Sequence, residues 1–159
     1  MGWSKWYPLN EENIREHAPA EAGIYRIKLS AGNCFVLGPQ GWELCTAKPL
    51  LIIAFNSNEP LRVSRCERDN ICTDLVYIGS TENQTLQARL RQHLSNSSGS
   101  PCIQELLNMG YQLFFSFLSR ASDAYEAERN LYRRFIEATR GYCPPCDRNS
   151  RECQAERGR

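Results

Sequence analysis

One helical segment constrains the fold of this chain more than any other. Ser122 or Asp123 can cap it, and it runs to about Thr139 before Gly141 and Pro144 stop it. Along it, Ala124, Glu128, Leu131, Phe135 and Ala138 recur at steps of four and three, which returns them to one face. A helix with a single apolar side must lie on another layer. Glu128 falls on that apolar seam, where a carboxylate is costly to desolvate unless a cation or an ion pair answers it. It is therefore a candidate either for metal binding or for a structural pair with an arginine from elsewhere. Glu126 and Glu137 fall on the outer face beside Asn130, Arg133 and Arg134, as solvated charges.

The layer beneath is read from alternation. Residues 23–29 alternate as a strand, with Tyr25, Ile27 and Leu29 on one face. Leu75–Ile78 is a short continuous apolar run, suited to a strand buried on both sides. Tyr111–Leu118 alternates again, setting Tyr111, Leu113, Phe115 and Phe117 together. Thr85–Leu94 and Pro101–Met109 are helical, the latter opened by proline and closed by Gly110. A shorter helix follows Asn10 and ends before Pro19. Between the first two strands, Cys34–Leu37 and Leu50–Phe55 have strand character. Gly38–Gly41 and Asn56–Pro60 have turn chemistry, and Arg62–Asp74 is irregular. The expectation is one α+β domain over 1–159, a small, mainly antiparallel sheet flanked by helices. Residues 1–20 form an N-terminal extension, 30–74 an insert adding β structure alongside the core sheet, and 150–159 a polar tail that frays.

A net charge of +1 neither requires nor excludes a polyanionic partner. Arginine far outnumbers lysine, and its planar fork suits phosphate. The longest apolar run, Leu50–Phe55, is strand-sized, and the N-terminus lacks the apolar core of a secretory signal. No membrane association and a cytoplasmic location are therefore expected. Eight cysteines in a reducing compartment read as buried small side chains or metal ligands rather than disulfides. Cys143-Pro-Pro-Cys146, with Cys153 beyond, has the one close metal-like spacing. A structural Zn²⁺ there needs a fourth ligand, so structural thiols are the preferred reading.

Arg89 and His93 stand four apart, on the flank of their helix next to Leu86 and Leu90. An arginine at the border of a core brings a permanent charge that an anion must answer. Together with other blocks this pair carries a resemblance. Gly23-Ile24-Tyr25 on one strand and Tyr77-Ile78-Gly79 on a second are followed by Ser80-Thr81, then Leu86 to His93. Ala124 to Leu131, Pro145 and Asn149 come next in the same order. Over roughly 22–149, less the insert, the chain resembles the GIY-YIG nucleases. It departs from them in the long separation by residues 26–76, and in slightly longer spacings from Gly79 to Arg89 and from Pro145 to Asn149.

The resemblance implies a divalent-metal-dependent endonuclease hydrolysing DNA phosphodiester bonds with one Mg²⁺ or Mn²⁺. It implies that Tyr25 activates the attacking water and Tyr77 holds water or phosphate. Arg89 would neutralise the scissile phosphate, His93 would orient a tyrosine or the water, and Glu128 would bind the metal. Asn149 would close the site, with Gly79, Ser80 and Arg91 contacting substrate. The chemistry is consistent, since a cation plus a guanidinium suits the charge that develops on the phosphoryl oxygens. A module that kept the fold for nucleic-acid binding or regulation and lost turnover is the alternative.

Overall fold

The computed structural model of the chain describes residues 2–39, 41–45, 63–64, 71–95, 99–119, 124–147 and 150–158. In chain order these form β1 (Tyr7–Pro8), α1 (Glu11–His17), β2 (Ile24–Leu29), β3 (Cys34–Gly38), β4 (Gly41–Cys45), β5 (Val63–Ser64) and β6 (Cys72–Thr73). They continue with β7 (Leu75–Ser80), α2 (Leu86–Leu94), α3 (Pro101–Asn108), β8 (Leu113–Leu118), α4 (Ala124–Ala138) and α5 (Arg151–Arg157). The strand expected at 50–55 and the caps expected at Ser122 and Asp123 lie outside the described residues.

Helices start where a side chain can take up a free backbone N–H. Asn10 accepts from the Asn13 amide at 2.9 Å, Thr85 from Ala88 at 3.0 Å and Ser100 from Ile103 at 3.4 Å. The core sheet has the order β1-β8-β2-β7 and is antiparallel. Its central strand β2 pairs Tyr25 with Gly79 on one side and Phe117 on the other, and Arg26 with Ile78 and Ser116. Alternation sends Tyr25, Ile27 and Leu29 to one face. There they join Ile14 of α1, Leu86 and Leu90 of α2, and Ile103 and Leu106 of α3 in the main core. α4 covers the opposite face, with Tyr132 packed beside Ile78. The α+β expectation holds.

Four details differ from the sequence reading. The buried side of α4 is Ala124, Glu128, Tyr132 and then Thr139, whereas Ala138 is exposed. The stripe is rotated toward Tyr132 because its hydroxyl donates to the Ile78 carbonyl at 2.6 Å. The insert makes a sheet of its own, order β5-β4-β3-β6. Its β3–β4 hairpin turns at Gly38 and Gly41, the latter at φ +118°. Phe35 and Leu44 carry this sheet into the main core, and the Trp42 indole N–H donates to the Cys143 carbonyl at 2.7 Å.

The tail does not fray. Ser150 caps α5, Glu156 is buried under Arg129 and Arg133, with N···O distances of 2.9 and 3.5 Å, and a disulfide joins Cys153 to Cys143. Polar composition alone could not reveal those partners. A second disulfide joins Cys102 to Cys146, and Cys45 is disulfide-bonded as well. The preference for unbridged thiols is thereby corrected: three sulfurs considered as zinc ligands, those of Cys143, Cys146 and Cys153, are held in disulfides. Among the described residues no helix is long and apolar enough to cross a membrane.

Candidate active site

The site is built around the pairing of β2 with β7. Tyr25 stands opposite Gly79, and its ring lies across that glycine. A Cβ on Gly79 would come within 2.5 Å of the Tyr25 Cζ and hydroxyl oxygen, so any side chain there displaces the ring. Gly23 is equally confined, since its Cβ would meet the Leu118 carbonyl at 2.5 Å and Leu86 at 2.8 Å. Tyr77 projects from the same face, its ring stacked on that of Tyr25 at 5.9 Å between centroids.

Behind Tyr25 lies His93, fully buried beside Leu86 and Leu90. Its Nδ1 accepts the Ser100 backbone N–H at 3.0 Å, so in the neutral ring the proton belongs to Nε2. Nε2 then donates to the Tyr25 oxygen, 2.8 Å away. Burial, and after it the charge of Arg89, hold the imidazole pKa down at about 3, so the ring is neutral at physiological pH. Burial, and then Tyr77, push the Tyr25 phenol well above its ordinary range. Burial, and then Asp147, raise the Tyr77 phenol above its ordinary range; Arg89 and contact with Tyr25 oppose that shift without reversing it. Arg89 donates to the Tyr77 oxygen at 3.3 Å and to Gln92 at 2.7 Å. Burial disfavours its charge, yet the two tyrosines more than restore it.

Across the cavity stands Glu128, 4% exposed, with its Oε1 buried and without a hydrogen-bond partner. Burial pushes its carboxyl up to about 7; Ser80 opposes the shift, and Glu152 and Glu82 add to it. Beside it is Asp147, which the sequence reading did not single out. Its carboxylate accepts the Ile78 N–H at 2.6 Å, and burial raises its pKa well above the carboxylate range. The Cys146 amide donates to the Val76 carbonyl at 2.8 Å, and Tyr132 donates to that of Ile78. These three residues thus complete the outer edge of β7. The signal for Asp147 in the sequence was slight: an acid next to a Pro-Pro-Cys turn, inside the block bounded by Pro145 and Asn149.

Together these groups line a cavity of about 390 Å³ that includes Tyr25, Tyr77, Gly79, Ser80, Arg89, Glu128, Tyr132 and Asp147, with Cys102 and Cys146 in its wall. Of the residues named from sequence, His93 supports the site from behind. Arg91 points away and pairs with Glu11 at 2.8 Å. Asn149 lies outside the described residues. Among the described residues no group of three His, Cys, Asp or Glu side chains could hold a metal. The unpartnered Glu128 oxygen nevertheless fits a hard cation that takes one carboxylate and completes its shell with water and phosphate oxygens, as Mg²⁺ does. Comparison with protein-family models, curated proteins and solved structures gives no match to the chain.

Proposed function

We propose that the chain is a divalent-metal-dependent endonuclease of the GIY-YIG type, hydrolysing phosphodiester bonds in DNA. One observation carries this reading: a guanidinium, a phenol and an unpartnered buried carboxylate oxygen, from Arg89, Tyr77 and Glu128, line the same cavity. A phosphodiester in that cavity meets positive charge from Arg89, while Glu128 would hold the cation. Mg²⁺ or Mn²⁺ so bound supplies Lewis acidity toward the phosphoryl oxygens.

Tyr77, rather than Tyr25, is the phenol better set to accept a proton from the attacking water. It can fill that role only as the phenolate, which Arg89 and a bound cation would have to stabilise against the burial that raises its pKa. Its oxygen receives the Arg89 N–H, and contact with Tyr25 favours its anion. Tyr25 is deeper, and its oxygen is occupied by His93. It acts as a rigid support that fixes the position of Tyr77. His93 serves as a neutral donor and does not exchange protons with the substrate.

The test is cleavage of duplex, branched and single-stranded DNA with Mg²⁺ or Mn²⁺ by wild type, Glu128→Ala and Arg89→Ala. Metal-dependent cutting by wild type should be lost in both variants. Undiminished cutting by Glu128→Ala defeats the mechanism. Binding with no cutting by any of the three proteins indicates the silent module instead.

A further inference from the structure

On the sheet face opposite Tyr25, indoles and cations alternate. The Arg26 guanidinium lies 4.0 Å from the centre of the Trp3 ring and 4.6 Å from that of Trp6, and the Lys28 ammonium is 4.4 Å from Trp6. The N-terminal segment is held there by β8: the Ser4 amide donates to the Phe117 carbonyl at 2.9 Å, and Ser116 donates to the Ser4 carbonyl at 3.0 Å. The indoles are therefore fixed.

Three observations make this more than a cover for the sheet. Among the described residues no carboxylate pairs with Arg26 or Lys28. The Arg26 Nε is buried without a hydrogen-bond partner, so a charge has been partly desolvated without an anion to answer it. Among the described residues no other aromatic ring stacks on Trp3 and Arg26 is the one cation over it. That leaves the Trp3 face turned from Arg26 for a further flat partner, whereas Trp6 already carries both cations. The stack is also close to the cavity. Arg26 pairs with Ile78, and two residues earlier Ile24 pairs with Ser80, both of them cavity residues.

We propose that Trp3, Arg26, Trp6 and Lys28 form a binding face for single-stranded nucleic acid, with a base stacked on Trp3, phosphates on the two cations, and Trp6 holding those cations in place. Aromatic platforms interleaved with fixed cations are the combination that single strands require. A duplex keeps its base faces stacked inside, and an acidic peptide makes no use of the indoles. The inference rests on the nucleic-acid reading above and narrows its substrate to one with an unpaired stretch beside the scissile bond.

The test uses the full chain carrying Glu128→Gln, so that bound strands are not cut. A labelled oligothymidylate and a duplex of equal length are titrated and followed by fluorescence anisotropy over a range of salt. The single strand should bind more tightly, and Trp3→Leu and Trp6→Ala should each weaken it about tenfold. Lys28→Gln should lower the salt dependence by about one phosphate contact. Trp3→Leu keeps apolar cover over the sheet, so it reports on the ring even if Trp6→Ala fails to fold. Unchanged affinity in folded Trp3→Leu overturns the proposal, as does tighter binding of polyglutamate than of the oligonucleotide. If wild type cuts no DNA while the strand binds as described, the nuclease reading fails and this one stands. Cutting of DNA by wild type alongside unchanged binding by Trp3→Leu is the reverse case.

Discussion

The ring of Tyr25 occupies the space a side chain on Gly79 would take, so the segments Gly23–Tyr25 and Tyr77–Gly79 meet as one steric unit. Gly79→Ala should cost about 1–3 kcal/mol, the range for overpacking a tight core. Thermal unfolding measures this, and a double-mutant cycle assigns it. In a Tyr25→Ala background, Gly79→Ala should be nearly neutral, because the ring it collides with is gone. Strictly additive costs would mean the two residues do not interact.

Exchange of the tyrosines separates proton acceptance from support. Tyr77→Phe should lower single-turnover cleavage by about 10²–10⁴, as expected when a proton acceptor is removed. Tyr25→Phe keeps the ring over Gly79 and should lose roughly tenfold, within what misplacement of a neighbour can cost. A larger loss in Tyr25→Phe than in Tyr77→Phe would return the proton-accepting part to Tyr25.

Glu128 gives the site a pH signature in metal-free protein. The carboxyl keeps its proton up to about pH 7 in the folded chain, against an ordinary value of 4.5. Between those values the folded state binds more protons than the unfolded one. The stability it contributes is complete below 4.5 and is lost as pH rises through 7. With a chelator present at pH 8, Glu128→Gln should therefore be more stable than wild type by on the order of 2 kcal/mol. For a domain of this size that is about 4–8 °C in melting temperature, narrowing as the pH is brought to 5. Mg²⁺ should raise the melting temperature of wild type and leave the variant unmoved. Identical melting at pH 8 with chelator would show that Glu128 is not held at a desolvation cost.

The Cys102–Cys146 disulfide ties the start of α3, beneath His93, to the segment that completes β7. The bridged residues are 44 positions apart, and Cys102→Ser should cost about 2–4 kcal/mol in denaturant unfolding. Cys72→Ser, at an exposed thiol, should stay within about 0.5 kcal/mol. Equal effects of the two substitutions would argue against the bridge.

Legibility in the sequence followed the range of the interaction. Glu128 could be located because helical periodicity is local, and Arg89 and His93 because four residues make one turn. The strands around Tyr25 and Tyr77 were readable from alternation, but their being neighbours rested on the resemblance alone. Asp147, the disulfides and the anchoring of α5 were not readable, since each depends on segments brought together only by the finished fold. The insert showed the same limit: its hairpin turn was evident, while the independent sheet it builds was not. Trp3 and Trp6 were visible as aromatics, with nothing nearby in the chain to say that Arg26 and Lys28 would lie between and beside them.

The outer edge of β7 has a consequence for how such a site can change. An uncovered edge strand is a template on which a second chain can add. Here Asp147 and Tyr132 deny that template and at the same time form part of the cavity wall. A substitution at either that reshapes the cavity also uncovers an adhesive strand, so a change in what the cavity holds is coupled to a loss of solubility. Change is better tolerated at Glu152, which lines the same cavity from α5 rather than from that strand.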